Sequence, residues 1–382
     1  MSDAPARTSR RRRLRIATVA GVPVLLSPSW LVVAALVTFF FGPLASRSTG
    51  LGSTGGFGVA AVLAVLLAVS VLLHEAAHAV AARARGLHVA EVVVDLWGGH
   101  TSLGRPRTPG ESALVSVVGP LVNVVLGGLA LAAGALVDGP TAGSPEAVVG
   151  FLLAASAVVN LVLGVLNLVP GLPLDGGRVL EALVWRLTGQ QDTGTVVAAW
   201  VGRLAAVGLV VWLLGRPLLA GRLPGTVDVV WVLLVGLFLW QGASGSLRVA
   251  RFRRRAARVD LAAVSRPAVA VPARASVARL ESLLAASPAT AVVLVDDEGR
   301  PVALLDGGSV ADVPTDQRDT TPASALGVRL PPTAVVPARL GPVAAVEALA
   351  RSGGAGVVLV DDTGRPTARV LPDDFADAMG LA

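Results

Sequence analysis

His74, Glu75 and His78 stand in the string H-E-A-A-H, inside a run that is otherwise uncharged. Residues 57–73 read F-G-V-A-A-V-L-A-V-L-L-A-V-S-V-L-L, and A-V-A-A follows His78. On a helix, positions four apart differ by about 40° around the axis and by one turn along it, so both imidazoles leave the same side. Two nitrogens so placed suit one tetrahedral metal ion, and Glu75 beside them suits a base that takes a proton from an attacking water. Ionisable groups in an apolar span are costly unless they are paired, bound or chemically used. The plainer reading is a pair of structural histidines hydrogen-bonded within a bundle. It leaves Glu75 buried with no task.

A hydrolytic metal site needs a third protein ligand and one open position. His88 and His100 qualify by type, but both fall at the edge of the apolar region and read as polar residues of a hairpin. Asp175 is the better candidate. It lies in N-L-V-P-G-L-P-L-D-G-G-R, residues 167–178, directly after an apolar run. Two prolines break the helix there, and Gly176-Gly177 allows a sharp turn with close backbone approach. Such a break can turn a carboxylate back toward a neighbouring helix. The alternative is a loop aspartate that caps the following helix, V-L-E-A-L-V-W.

The elements that must hold these residues are membrane spans. The chain has 382 residues, 53% hydrophobic and only 15% charged, where ordinary soluble domains carry about 25% charged residues. Apolar stretches at 23–42, 57–84, 112–137, 147–168, 196–214 and 226–248 approach or exceed the ~20 residues that cross a bilayer. The fifth contains Arg203 and is the shortest. With no cysteine, a disulfide framework and a thiolate site are both excluded. Lysine and tyrosine are also missing, and all 32 basic residues are arginine, a bias that points to GC-rich coding and a bacterial source.

Arginines cluster at the membrane edges: Arg10, Arg11, Arg12, Arg13 and Arg15 before the first span, and Arg251, Arg253, Arg254 and Arg255 after the last. Positive-inside anchoring explains both clusters and places both termini in the cytoplasm, without invoking nucleic acid. Arg216 and Arg222 fall in a loop that this topology puts outside, which counts against it. The N-terminal apolar segment exceeds the 7–15 residues usual for a signal peptide and is followed by further spans, so it reads as an uncleaved helix. His74 and His78 then lie in the later half of an inward-running span, toward the cytoplasmic face.

Residues 89–103 read as strands. Glu91, Val93 and Asp95 alternate with Val92, Val94 and Leu96, and Gly98-Gly99 reads as a tight turn into a second strand. Such a hairpin needs shelter from lipid, which a cavity beside the metal would supply. After residue 257 the apolar runs shorten to strand length, and a repeat appears. V-V-L-V-D-D-E-G-R-P at 292–301 returns as V-V-L-V-D-D-T-G-R-P at 357–366, a period of 65 residues. Each copy follows a helix-like segment, Val277 to Ala286 and Val343 to Ala350. Two such units predict a small soluble α/β module built about a pseudo-two-fold axis.

H-E-A-A-H in one span and L-D-G at the end of another, 97 residues later, resemble the site-2 protease family of intramembrane zinc metalloproteases. P-S-W at 28–30, Gly98-Gly99 after a strand, G-P-L-V-N at 119–123 and N-L-V-P-G-L-P-L-D-G-G-R extend the likeness. The repeats resemble a pair of CBS domains. The resemblance implies one zinc ion held by His74, His78 and Asp175, with Glu75 as general base. It sets Asn167 where an amide could orient substrate or stabilise an oxyanion. Asn123 takes the polar position of G-P-L-V-N, with an interhelical hydrogen bond as its alternative role.

The implied fold is a polytopic α-helical membrane protein of about six transmembrane helices. It carries a small membrane-edge β-hairpin and is followed by a soluble α/β tandem CBS-like domain. The expected segments are a basic cytoplasmic N-terminus at 1–22, a transmembrane metalloprotease domain at 23–248, and CBS-like repeats at 258–316 and 317–382.

The activity expected from this is intramembrane cleavage, in the cell membrane, of a single-span membrane protein such as an anti-sigma factor or a remnant signal peptide. The substrate must be extended, and the hairpin, through Val92, Val94, Gly98 and Gly99, could hold it by strand addition. The repeats permit a homodimer. Their nucleotide-contacting pattern is not evident: the second continues T-A-R-V-L-P-D-D and the first V-A-L-L-D-G-G. A non-catalytic CBS-containing sensor and a CBS-regulated ion transporter are the competing readings. The intact H-E-A-A-H and L-D-G oppose the first, and a transport site favours several oxygen ligands rather than two imidazoles and one carboxylate.

Overall fold

The computed structural model describes residues 14–19, 21–95, 98–137, 141–285, 291–305 and 309–381. They form two compact units, one running to Ala250 and the other beginning at Arg251. In chain order the first contains β1 (Leu14–Val19), β2 (Val22–Leu26), α1 (Trp30–Thr49), α2 (Gly52–Ala84), β3 (Val89–Asp95) and β4 (Gly98–Leu103). Next come α3 (Pro109–Gly134), α4 (Pro145–Asn167), α5 (Asp175–Thr188), α6 (Gln191–Leu219) and α7 (Thr226–Ala256), whose last turn belongs to the second unit. Every one of these helices except α5 is long and apolar enough to cross a membrane.

Local chemistry sets several boundaries. Pro109 and Pro145 occupy first-turn positions where a missing N–H costs nothing. Thr108 and Ser144 each accept an N–H of the first turn, from Glu111 and Ala147 at 3.2 Å. Arg203, the charge inside the fifth span, is kept in place by α7. Its guanidinium donates to Ser244 Oγ at 2.9 Å and lies 5.0 and 4.7 Å from the rings of Trp200 and Trp240. Hydrogen bonding and cation–π contact replace the water it lacks.

The start of the first span differs from expectation. It begins at Trp30, and the apolar run V-P-V-L-L before it is β2. A short apolar run cannot be assigned to strand or helix by periodicity alone, and here pairing decides. Val24, Leu25 and Leu26 run parallel to Val92, Val93 and Val94 of β3. The expected hairpin is therefore part of a four-stranded sheet, ordered β1-β2-β3-β4. Residues 14–19 and Val22, expected in a separate basic segment, belong to this sheet. The basic run at residues 10–13 lies outside the described residues. Gly98 and Gly99 are not the turn either. They open β4, opposite Asp95 and Val94, and the connection at 96–97 lies outside the described residues.

The second unit contains α8 (Leu261–Val264), β5 (Ser265–Pro272), α9 (Val277–Ala285), β6 (Ala291–Val295) and β7 (Pro301–Leu305). It continues with β8 (Val328–Arg329), β9 (Val335–Pro337), α10 (Gly341–Leu349), β10 (Val357–Val360), β11 (Pro366–Val370) and α11 (Pro372–Ala378). The repeat is visible in the pairing. β5 runs parallel to β6, which is antiparallel to β7; β9 runs parallel to β10, which is antiparallel to β11. Each copy is completed by the segment leading into the other's first strand. Residues 265–267 add to β11, and Val328–Arg329 adds to β7. This reciprocal exchange fits a two-fold-related pair and interleaves the two repeats across the expected 316/317 boundary. Val293 and Val358, one period apart, are both fully buried in one shared cluster with Leu304 and Leu330.

The repeated D-D-x-G turns are built alike. Asp296 Oδ1 accepts the N–H groups of Glu298 and Arg300, and Asp361 Oδ1 accepts those of Thr363 and Arg365. The Arg300 N–H above all holds the Asp296 carboxyl below its usual range, and the Thr363 hydroxyl does the same for Asp361.

Candidate metal centre

α2 carries His74, Glu75 and His78, and all three are buried. Asp175 is the first residue of α5, set there by the Pro170 to Pro173 break after α4. The fold brings it to the histidines. Asp175 Oδ2 lies 3.1 Å from His74 Nε2 and 3.3 Å from His78 Nε2, and the two Nε2 atoms are 3.1 Å apart. A tetrahedron with bonds of ~2.0–2.2 Å has edges near these lengths.

The outer nitrogens decide what the inner ones present. His78 Nδ1 lies 2.6 Å from the Val115 carbonyl, which can only accept, so Nδ1 carries the proton. His74 Nδ1 lies 2.6 Å from Asn123 Oδ1 and donates to it. In the neutral rings both Nε2 atoms then turn lone pairs toward the Asp175 carboxylate. Three acceptors so converge, an arrangement that a cation relieves. Gly119 leaves the room. A Cβ at that position of α3 would collide with His78 Nε2 and stand 2.7 Å from His74 Nε2.

Glu75 is held from the sheet. Thr101 of β4 donates its hydroxyl to Glu75 Oε2 at 2.6 Å and also lies 3.2 Å from the Glu75 carbonyl. Gly99 faces the same carboxylate, and a Cβ there would press into the Glu75 side chain. These residues line one cavity of about 840 Å³ with Asn123, Asn167 and an apolar wall from α6 and α7.

Asn167 ends α4 and reaches this cavity with no hydrogen-bond partner among the described residues. Asn123 is 1% exposed and sits behind His74, bridging α2 and α4. Its amide thus makes the interhelical hydrogen bond that was its alternative reading. His88 is not in the cluster, and His100 pairs loosely with Asp95 at 3.7 Å. Val92 and Val94 are corrections. β3 is paired on both sides and both residues are buried, so neither can receive a substrate strand. The sheet edge next to Glu75 belongs to β4, whose outer side has no strand partner among the described residues. Sequence reasoning missed Thr101, Ser70 and Asn160. The polar Asn160 within an apolar run was the available signal.

Fold and site together define a polytopic membrane protein with two buried histidines, a half-buried aspartate and an adjacent glutamate. The model of Peptidase family M50 matches residues 141–211, a segment that includes α4, Asp175 and α5. The chain is 34% identical over 244 residues to a putative zinc metalloprotease of Synechocystis, covering 63% of this chain and 62% of the relative. It is 34% identical over 240 residues to the putative zinc metalloprotease Rip3 of Mycobacterium tuberculosis, covering 61% and 58%. The chain thus spans about three fifths of the length of these relatives. Among solved structures, a site-2 protease from Methanocaldococcus jannaschii aligns at 26% identity and TM-score 0.44, covering 62% of this chain and 95% of that one. Over residues 141–211 the chain is thus similar to peptidase family M50, and over three fifths of its length to the two zinc metalloproteases.

Proposed function

We propose that this protein is an intramembrane zinc endopeptidase. The observation that carries the reading is the convergence of three electron-pair donors, from α2 and α5, in one cavity with the Glu75 carboxylate. Zinc, when bound, supplies a Lewis acid that acidifies water and polarises a carbonyl. His74, His78 and Asp175 hold it. Glu75 takes a proton from the attacking water as its oxygen bonds to the peptide carbonyl carbon, then delivers that proton to the leaving amine as the C–N bond breaks. The hydroxyl of Thr101 keeps the Glu75 carboxylate aimed. Asn167 offers an unengaged amide to the substrate carbonyl.

The substrate is a single-span membrane protein, of the kind of an anti-sigma factor or a remnant signal peptide, cleaved in regulated intramembrane proteolysis. Its scissile stretch is extended, because helical carbonyls are tied up in hydrogen bonds, and it adds to the outer edge of β4 at Gly98 and Gly99. Both termini face the cytoplasm of a bacterial cell, with the 258–382 pair as a dimerisation or partner-sensing module. A reporter fused after residue 382 reads cytoplasmic on this topology; a periplasmic signal refutes it.

The test of the activity is Glu75→Gln in the full chain, assayed on a single-span substrate. The amide keeps the shape of the carboxylate and cannot take the proton. Cleavage falls by about 10²–10⁴-fold with zinc content unchanged. Retained turnover would sink the assignment of the base.

A further inference from the structure

Behind His74 lies a buried chain of amides whose direction is fixed at its far end. Asn160, on α4, is 4% exposed. Its Nδ2 donates to the Ser156 carbonyl at 2.9 Å and to Ser70 Oγ at 3.0 Å. A backbone carbonyl only accepts, so Ser156 forces Nδ2 to that side. Asn160 Oδ1 therefore faces Asn123 and accepts from its Nδ2 at 3.0 Å. Asn123 in turn must present Oδ1 to His74, and His74 Nδ1 must carry the proton. The circuit closes on α2, where Ser70 stands one turn before His74.

We propose that Asn160 is a positioning residue that sets the tautomer of His74 through Asn123, so that Nε2 offers its lone pair to the metal. It rests on the zinc-site reading above and extends it to a helix that supplies no ligand to the His-His-Asp set. The two histidines reach the same state by different routes. His78 is set directly by the Val115 carbonyl, whereas His74 depends on two amides that could each rotate by half a turn. Removing Asn160 releases Asn123, and nothing then opposes the flipped amide. That amide would donate to His74 Nδ1 and move the proton to Nε2, where it blocks coordination.

The test is a double-mutant cycle read as zinc affinity, by chelator competition on the full-length protein. Asn160→Leu and Asn123→Leu each weaken zinc by roughly 10–100-fold, the usual effect of losing a partner of a ligating histidine. Asn160→Leu then adds nothing in the Asn123→Leu background, because it acts only through Asn123. A merely structural role gives losses that multiply, and that result overturns the proposal. So does zinc affinity in Asn160→Leu equal to wild type. Asn160→Asp guards against misfolding, since a carboxyl kept neutral by burial donates to the Ser156 carbonyl and keeps an acceptor toward Asn123, and it should hold zinc within about fivefold of wild type. Loss of zinc from Asn160→Asp equal to that from Asn160→Leu refutes the amide relay. If wild-type protein binds no zinc, the metal-site reading itself fails; if it binds and the cycle is additive, only the relay fails.

Discussion

The two units bury different things. The first sinks His74, Glu75, His78, Asn123, Asn160 and Ser70 among its helices. The second has a core of Val, Leu, Ala and Phe375, and its repeated Asp296 and Asp361 stand on exposed turns. Buried polar groups hold one arrangement only while every donor meets an acceptor, so their value lies in direction. Buried apolar groups hold through volume, which has no direction. Substitutions in the first unit should therefore alter chemistry while the protein stays folded. Those in the second should alter stability while the chemistry stays intact.

Gly119→Ala should break this division most severely on the chemical side. Its methyl group would fill the space into which both Nε2 atoms point. Zinc affinity should drop by 100-fold or more, an order-of-magnitude figure at the upper end for disturbed metal shells, with helix content by circular dichroism unchanged. The counterpart is Phe375→Ala, which empties a side chain 1% exposed within the second unit's core. About 3–5 kcal/mol of stability should be lost, read as a lower Tm for that unit. Zinc content should not change. A loss of zinc here would show that the two units do not divide the work as described.

Thr101→Val should be milder. It removes the hydroxyl that aims Glu75 and keeps the shape of the side chain. Cleavage should slow by roughly 10–100-fold, the worth of one hydrogen bond to a charged group at about 1.5–3 kcal/mol, with zinc unaffected. The smallest effect belongs to the surface turns. Asp296 and Asp361 have folded pKa values below their ordinary range, so their contribution is present above the unfolded pKa and lost as pH falls through the folded one. The Tm of the second unit should decline below about pH 4. In Asp296→Asn with Asp361→Asn that decline should flatten.

The same contrast governs what the sequence discloses. His74, Glu75 and His78 were legible because ligand type and helical period are local. Asp175 was legible because Pro170, Pro173, Gly176 and Gly177 announce a break after a span. The repeats of the second unit were legible by comparison of one copy with the other. What stayed hidden depends on tertiary placement. No residue type signals that the Val115 carbonyl holds His78. V-P-V-L-L carries nothing to say that it pairs with β3, and the interchange of β5 and β8 between repeats follows from pairing across the whole unit. Val92 and Val94 were misjudged for that reason: alternation finds a strand and says nothing about which edges are occupied.

The central claim is that two imidazole nitrogens and one carboxylate oxygen present lone pairs to a single point. X-ray absorption at the zinc edge, on purified full-length protein, tests it directly. The account predicts one zinc per chain with two imidazole nitrogens and oxygen donors at ~2.0–2.2 Å, and a signal that disappears in His78→Ala and Asp175→Ala. Protein without stoichiometric zinc, or a zinc shell unchanged by either substitution, would contradict it.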